Sequence, residues 1–315
     1  MTDVSVILPI YNESRNIPIL FDKLQNVLND MNYEIVAVND GSRDDSWDQL
    51  KLIAAKNNKV RIINFAKNFG QTAALNAGLK NVKGEIVILI DSDLENDPAD
   101  IPLLLAKIRE GYDVVSGWRQ KRWKGQFLTR KLPSVMANSL ISKISGVYLH
   151  DYGCTLKAYR REAIEHVALY GEMHRFIPVY ASWYGGRVTE IPVSYQARIH
   201  GKSNYGIART YKVLLDLILI KFLQKYHNKP IHFFGGAGFI SLFISLASFL
   251  LAVFYKLTGQ KDFVETPLPL FSAIFFVVGI LMIMLGINAE IQMRTYYESQ
   301  QRESYLVKEK VNFPS

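Results

Sequence analysis

An unbroken apolar run at residues 86–90 leads directly into two aspartates one residue apart, Asp91 and Asp93. Such a run predicts a strand that is buried on both faces of a parallel sheet. Residues i and i+2 of an extended segment point the same way, so both carboxylates can offer oxygens to one hard cation, Mg²⁺ or Mn²⁺. The pair lies beyond the carboxyl end of its strand, where ligands of open α/β sheets bind. The alternative for so short a motif is a turn that only ends the strand.

Short apolar runs alternate with amphipathic segments over the first part of the chain. The predicted strands are Val4–Pro9, Glu34–Asn39, Val60–Phe65, Glu85–Asp91, Asp113–Trp118 and, later, Arg187–Gln196. The predicted helices cover roughly residues 16–30, 45–57, 71–82 and 98–109. This alternation predicts an α/β domain with a parallel sheet and right-handed crossovers, which we expect to occupy residues 1–204.

The second part of the chain has the pattern of a membrane anchor. Residues 205–229 combine a very apolar helical pattern with regularly placed cations, which predicts an amphipathic helix in the membrane interface. A helix packed on the globular domain is the alternative. Two apolar runs then follow, at residues 231–255 and 268–289, and each has the roughly 20 residues that a membrane span needs. We therefore predict a transmembrane hairpin at residues 230–292 and a cytoplasmic tail at 293–315.

The distribution of charge predicts how this hairpin is oriented. Cations cluster before the first run and after the second, whereas the connector has two lysines opposed by two carboxylates. The positive-inside rule then places both termini in the cytoplasm. The first residues lack the basic and then apolar pattern of a signal peptide, so we expect the catalytic domain on the cytoplasmic side of the inner or plasma membrane.

The formal net charge is +8, which fits a phosphorylated substrate or an anionic membrane surface. The sequence has no block of consecutive Lys and Arg residues typical of a nucleic-acid arm, so we expect no nucleic-acid partner. Cys154 is the single cysteine, which excludes an internal disulfide and a zinc site built from several cysteines. Homo-oligomerisation stays open, and the small residues of Gly235–Gly238 would allow close helix packing.

Polar side chains also follow the other predicted strands. Tyr11 follows the first strand and could stack beside a base, while Asp40 follows the second and could accept from a base or a ribose hydroxyl. Asn68–Gly70 precedes a further helix, whose N-terminal amides could face a nucleotide. Taken alone, the segment after Asp40 is as typical of an Asx turn with a helix N-cap.

Four motifs, in this order and spacing, resemble the inverting GT-A glycosyltransferases of family 2. They are Pro9–Glu13, Asn39–Asp44, Lys67–Gly70 and Asp91–Asp93. Later motifs narrow the resemblance to the polyprenyl-phosphate branch, which includes dolichol-phosphate mannose synthase and the bactoprenol glucosyltransferases: Gly117–Arg119, Arg130–Ser134, His174–Pro178 and Arg198–Ser203. The resemblance implies a Rossmann-like GT-A domain and covers nearly the whole chain.

The resemblance also implies roles for individual residues. The donor nucleotide sugar would be held by Pro9, Tyr11, Glu13, Asp40, Asn68, Gly70, Arg198 and Lys202, the last two closing a loop over the diphosphate. Asp91 and Asp93 would hold the metal; Glu95, where many relatives carry Gln, could contact the metal or the sugar. The acceptor phosphate would be bound by Arg119 and Arg130, with Ser134 nearby. Asp151 is either a catalytic carboxylate or a structural partner of an arginine.

These roles together imply inverting transfer of one hexose to a polyprenyl phosphate, with glucose from UDP-glucose and undecaprenyl phosphate as the first expectation. An acceptor phosphate is already ionised near neutral pH, so it needs positioning more than deprotonation. Mannosyl transfer from GDP-mannose and a processive polysaccharide synthase are the alternatives within the superfamily, although Gln120–Trp123 has the wrong spacing for the synthase motif. An inactive membrane scaffold is the alternative from another class, and the intact Asp91 and Asp93 argue against it.

Overall fold

The computed structural model describes residues 2–120, 132–165, 167, 173–196, 230–299 and 307–313. Eight strands form one mixed sheet in the order β7-β5-β6-β4-β1-β2-β3-β8. The strands are β1 (Val4–Ile10), β2 (Tyr33–Asn39), β3 (Val60–Phe65), β4 (Ile86–Leu89), β5 (Val114–Trp118), β6 (Lys157–Arg160), β7 (Val188–Pro192) and β8 (Val307–Val311). The helices of this unit are α1 (Ile17–Leu28), α2 (Ser46–Lys56), α3 (Gln71–Leu79), α4 (Ile101–Arg109), α5 (Leu132–Ser145) and α6 (Ile177–Trp183).

The predicted mostly parallel α/β sheet is confirmed. Strand β1 pairs in parallel with β2 and β4, β2 with β3, and β5 with β7. Burial on both faces explains the apolar strand runs: in β2, Ile35 and Ala37 belong to one hydrophobic cluster, and Val36 and Val38 belong to a second cluster. Each fully buried Val or Ile side chain among them contributes about 1.5–3 kcal/mol.

Strand β6 interrupts the parallel pattern, because it runs antiparallel between β4 and β5. Its first residue, Lys157, pairs with Leu89 of β4 and Ser116 of β5. An antiparallel strand begins where its parallel neighbours end, so Lys157 lies at the carboxyl edge of the sheet. The sequence did not predict this strand, since it has only four residues and opens with a lysine.

The C-terminal residues differ from the predicted tail at 293–315. Residues 307–311 form β8, which pairs antiparallel with the edge strand β3. The side-chain amide of Asn312 then donates hydrogen bonds to the carbonyl oxygens of Ala54 (2.9 Å) and Val60 (2.7 Å). The ring of Phe313 lies 4.1 Å from the guanidinium of Arg61. By its contacts, this segment belongs to the same compact unit as the N-terminal domain.

The second unit is a helical hairpin of α7 (Pro230–Leu257) and α8 (Leu268–Ser299). Residues 233–257 and 268–289 are long and apolar enough to cross a membrane, close to the predicted spans. The two helices meet at Gly238 and Gly279, where a Cβ added to either glycine would lie 3.0 Å or less from atoms of the facing helix. The hydroxyl groups of Ser241 and Ser245 donate to carbonyl oxygens of α8 at 2.7 Å. The predicted interfacial helix at 205–229 lies outside the described residues.

Candidate active site

The loops that follow β1 to β4 line one open cleft of about 250 Å³ at the carboxyl edge of the sheet. It is lined by Pro9, Ile10, Tyr11, Glu13, Asp40, Asn68, Gly70, Gln71, Asp91, Ser92 and Asp93. The structure therefore brings together six of the predicted donor residues and two of the three predicted metal ligands, Asp91 and Asp93. Their individual roles stay predictions, but their convergence follows from the shared edge of parallel strands.

Asp40 connects two of these loops. Its carboxylate accepts hydrogen bonds from the side-chain amide of Asn68 (2.9 Å) and from the backbone N–H groups of Phe69 (2.7 Å) and Gly70 (2.9 Å). Burial raises the pKa of Asp40, although the two backbone hydrogen bonds act in the opposite direction. With three protein donors already bound to this carboxylate, its main structural effect is to fix the 68–70 loop at the edge of the cleft.

Gly41 allows these loops to approach closely. Its φ of +63° is in the left-handed region, and a Cβ at this position would lie 2.3 Å from the carbonyl carbon of Lys67. Asn12, also left-handed at φ +57°, accepts from the backbone N–H of Arg43 (2.8 Å), and its own N–H donates to Ser42 Oγ (3.0 Å). These contacts hold the loop that carries Tyr11 against the loop after β2.

A second cavity, of about 70 Å³, shares Gln71, Asp91 and Asp93 with the first. The remaining lining residues are Leu75, Leu89, Glu95, Arg119, Tyr152, Gly153, Cys154, Thr155, Lys157, Tyr159, His174 and Arg175. Asp91 is oriented at the boundary between the two cavities: Gln71 Nε2 donates to one oxygen and Thr155 Oγ1 to the other, both at 2.7 Å. The sequence did not identify either donor, because they come from a helix and from a loop far along the chain.

Asp93 and Glu95 lie on a strained turn. Leu94 between them has φ +60°, and the Glu95 N–H donates to Asp93 Oδ1 at 3.0 Å. The Glu95 carboxylate lies beside Arg119 (3.4 Å), and among the described residues no three acidic, His or Cys side chains surround a common point. The predicted contact of Glu95 with the metal or the sugar therefore stays a prediction, and in this structure its carboxylate is paired with Arg119. Asp91 and Asp93 still fit Mg²⁺ or Mn²⁺, which are commonly bound by one or two carboxylates together with substrate phosphates.

Arg119 and Asp151 form a buried ion pair with two hydrogen bonds. Arg119 Nε donates to Asp151 Oδ2 (2.8 Å) and Nη2 donates to Oδ1 (3.1 Å), and the two residues are only 6% and 8% exposed. Trp118 and His150, the residues directly before them, stack at 4.2 Å. Asp151 therefore has an arginine partner in this structure, and its catalytic role stays a prediction. Arg119, predicted to bind the acceptor phosphate, has two carboxylates as neighbours in this structure.

Two other groups at the second cavity were not singled out from the sequence. The ammonium group of Lys157 donates to the carbonyl oxygens of Tyr152 (3.2 Å) and Cys154, and burial lowers its pKa. His174 Nδ1 lies 2.7 Å from the hydroxyl of Thr72 on α3. A buried lysine has no distinctive sequence pattern, whereas His174 did belong to a quoted motif.

The remaining predicted site residues are not at either cavity in the described structure. Ser134 lies on α5, is partly exposed, and is not part of the described lining of either cavity. Arg130, Arg198 and Lys202 lie outside the described residues. Their proposed contacts with phosphate groups remain predictions.

The comparisons with known proteins agree with this geometry. The model of "Glycosyl transferase family 2" matches residues 5–168, the segment that contains Asp40, Asp91, Arg119 and Asp151. The mostly parallel sheet is that of a GT-A glycosyltransferase. The chain belongs to glycosyl transferase family 2.

Relatives match along nearly the whole chain. The dodecaprenyl-phosphate galacturonate synthase of Rhizobium johnstonii is 38% identical over 98% of this chain and 92% of its own length. The undecaprenyl-phosphate 4-deoxy-4-formamido-L-arabinose transferase of Klebsiella pneumoniae is 34% identical over 99% of this chain and 94% of its own length. Among solved structures, glucosyl-3-phosphoglycerate synthase from Mycobacterium tuberculosis, in complex with Mn²⁺ and UDP-glucose, has a TM-score of 0.55 and 18% identity. That match covers 71% of this chain and 79% of the other, and it shows the shared fold.

Proposed function

We propose that this enzyme transfers one sugar from a nucleotide sugar to a polyprenyl phosphate at the cytoplasmic face of a membrane, with inversion at the anomeric carbon. The observation that carries the proposal is the pair of adjoining cavities with Asp91, Asp93 and Gln71 as their common wall. The nucleoside would occupy the open cleft beside Tyr11 and Asp40. The sugar and the acceptor phosphate would meet in the second cavity, and the diphosphate would lie at the boundary.

The chemistry at this boundary is the departure of a nucleoside diphosphate. A divalent cation on Asp91 and Asp93 would neutralise the charge that develops on the leaving group. Gln71 and Thr155 hold the Asp91 carboxylate in place, so little reorganisation is needed when the donor binds. We propose Mg²⁺ or Mn²⁺ in this role, with Glu95 reaching the metal or the sugar only when it leaves Arg119.

The acceptor is a phosphate monoester, which is ionised near neutral pH and needs no strong base. Attack of its oxygen on the face of the anomeric carbon opposite the leaving group inverts that carbon. A phosphate that reaches Arg119 must share the guanidinium with Asp151 or replace it, because both Nε and Nη2 already donate to that carboxylate. Arg130 and Ser134 remain our candidates for further phosphate contacts, and Arg198 and Lys202 for a loop over the diphosphate.

The identity of the sugar is the least constrained part of the proposal. The two curated relatives described above are named for galacturonate and 4-deoxy-4-formamido-L-arabinose, so they do not favour our sequence-based expectation of glucose. Two basic side chains, His174 and Arg175, line the second cavity, where they would suit a carboxylate on the sugar ring. We therefore place galacturonate before glucose, with a uridine diphosphate donor, and keep mannose from GDP-mannose as the third candidate.

We also propose that the hairpin crosses the membrane twice and that both termini are cytoplasmic. Strand β8 pairs with β3, so the chain before the hairpin and the chain after it belong to one sheet. With two membrane crossings, β3 and β8 lie on the same side of the membrane and can pair. A single crossing would place them on opposite sides. The cations around residues 221–229 and 294–310 give the orientation.

The proposal is tested with the full chain in detergent, a short-chain polyprenyl phosphate, Mn²⁺ or Mg²⁺, and a panel of UDP-galacturonate, UDP-glucose and GDP-mannose. We expect a lipid-linked monosaccharide, detected by mass spectrometry, with one donor clearly preferred. Asp93→Asn is the matched inactive control. Addition of many sugars to one lipid would favour a processive synthase, and absence of turnover with every donor would favour a scaffold.

A further inference from the structure

Lys157 is the most deeply buried cation at the described site, with only 3% of its surface exposed. As the first residue of β6 it lies where β4 and β5 end, directly below the loop of residues 151–155. Its ammonium group donates to the carbonyl oxygens of Tyr152 and Cys154 in this loop. The backbone N–H of Cys154 also donates to the carbonyl of Asp151 at 3.5 Å, which closes a turn. We name residues 151–155 the cavity loop.

The two ends of the cavity loop contact different halves of the site. At one end, Asp151 holds the guanidinium of Arg119 through two hydrogen bonds. At the other end, the hydroxyl of Thr155 donates to Asp91 at 2.7 Å. The backbone shape of five residues therefore sets the position of an acceptor-side arginine and of a donor-side carboxylate at the same time.

Burial of the Lys157 ammonium group is energetically unfavourable, because the group is removed from water and its hydrogen-bond partners are neutral carbonyls. This cost suggests that the lysine has a role at the site. Because two carbonyl oxygens of the cavity loop accept hydrogen bonds from the same ammonium group, the backbone of the loop curves around that group. Without the ammonium group, these buried oxygens would lose their hydrogen bonds, and the loop would relax to satisfy them.

We propose that Lys157 is a positioning residue that couples the two halves of the site: it curves the cavity loop so that Thr155 orients Asp91 while Asp151 orients Arg119. The proposal rests on the proposed function only in assigning the donor cation to Asp91 and the acceptor side to Arg119. Lys157 also lines the second cavity, but the role proposed for it is exerted through the loop.

The test uses the full chain in detergent with three variants. Lys157→Met removes the donors at similar length, Lys157→Arg keeps donors, and Lys107→Met is the matched control, since Lys107 is an exposed lysine paired with Glu110. Binding of Mn²⁺ in the presence of UDP is measured by calorimetry, and hydrogen exchange is measured for peptides that contain the cavity loop. If Lys157→Met has no cooperative melting transition, Lys157→Gln, which keeps one donor, takes its place.

In Lys157→Met we expect faster exchange in the cavity loop and roughly tenfold weaker Mn²⁺ binding, the lower end of what loss of an outer-shell partner costs. In Lys157→Arg the logarithm of the Mn²⁺ dissociation constant should return at least halfway to the wild-type value. Lys107→Met should bind Mn²⁺ as the wild type does. Combining Lys157→Met with Thr155→Val should weaken Mn²⁺ binding little more than either change alone, because both act on Asp91 through the same contact.

Three results would overturn the proposal: unchanged Mn²⁺ binding and exchange in Lys157→Met, no recovery in a folded Lys157→Arg, or fully additive effects of Lys157→Met and Thr155→Val. Additivity would mean that Lys157 stabilises the fold without acting through Thr155. A wild-type chain that binds no Mn²⁺ with UDP would instead contradict the proposed function. The exchange measurement then decides separately whether Lys157 shapes the cavity loop.

Discussion

Asp151→Asn tests how strongly the buried pair with Arg119 stabilises the catalytic domain. The change removes the negative charge but keeps an oxygen that can accept one hydrogen bond. Loss of one partner of a buried ion pair costs about 3–5 kcal/mol, because the other charge stays buried without compensation. Glu95, at 3.4 Å from Arg119, retains part of that compensation, so we expect a loss of about 2–3 kcal/mol.

This loss should be visible as a lower melting temperature. For a domain of this size, 1 kcal/mol corresponds to about 2–4 °C, so Asp151→Asn should melt about 4–12 °C below the wild type. All four tryptophans lie within the first 183 residues, so tryptophan fluorescence follows the catalytic domain and not the hairpin. The measurement is a thermal scan of the detergent-solubilised full chain.

Asp113→Asn is the matched control, since Asp113 forms a partly exposed pair with Arg160 at 3.5 Å. Pairs of this kind contribute about 0–1 kcal/mol, which predicts a shift below about 4 °C. Equal shifts in the two variants would refute the reasoning, because the difference in burial would then have no energetic effect. Asp151→Asn with an unchanged melting temperature would show that Arg119 is not held by this carboxylate.

Three further predictions concern the metal, the loop after β2 and the C-terminal strand. Asp91→Asn should keep the fold and lose nearly all transfer activity with Mn²⁺, whereas near wild-type activity after chelation would contradict the metal assignment. Gly41→Ala should weaken UDP binding and lower the melting temperature, because its Cβ would overlap the backbone of Lys67; an unchanged titration of UDP would show that the loop adapts without cost. Deletion of residues 307–315 should lower the melting temperature of the catalytic domain by several degrees and promote aggregation through the exposed edge of β3, which light scattering would detect. A truncated chain that melts and scatters like the wild type would contradict a stabilising role of β8.

The parallel part of the sheet could be predicted because its strands are continuous apolar runs with clear turn signals between them. Strands β6 and β8 could not. The first is four residues long. The second has a valine at each end of three consecutive exposed charged residues, and it pairs with a strand far away in the sequence. Their pairing depends on tertiary contacts, such as those of Asn312 with the carbonyl groups of Ala54 and Val60, for which a local pattern contains no signal.

Part of the candidate site could likewise be predicted from the sequence, and part of it could not. Residues directly after strands, such as Tyr11, Asp40 and Asp91, could be placed together because parallel strands end at one edge. The sequence allowed Asp151 as the partner of an arginine but did not identify Arg119 as that arginine, since a guanidinium suits a phosphate oxygen and a carboxylate equally well. Thr155 and Lys157 act on the site through single contacts, and such contacts follow only from the folded backbone.

The pairing of β8 with β3 of the N-terminal domain affects how the protein folds during synthesis. Asn312 contacts a residue 252 positions earlier, and β8 lies only a few residues from the end of the chain. During translation the edge of β3 therefore stays open until both apolar helices and residues 307–311 have been made. Contacts at such separation form slowly, and open edges invite wrong pairing. The sheet is thus completed only after the hairpin has been synthesised, and a chain that stalls before residue 307 would carry an unprotected edge strand at the ribosome.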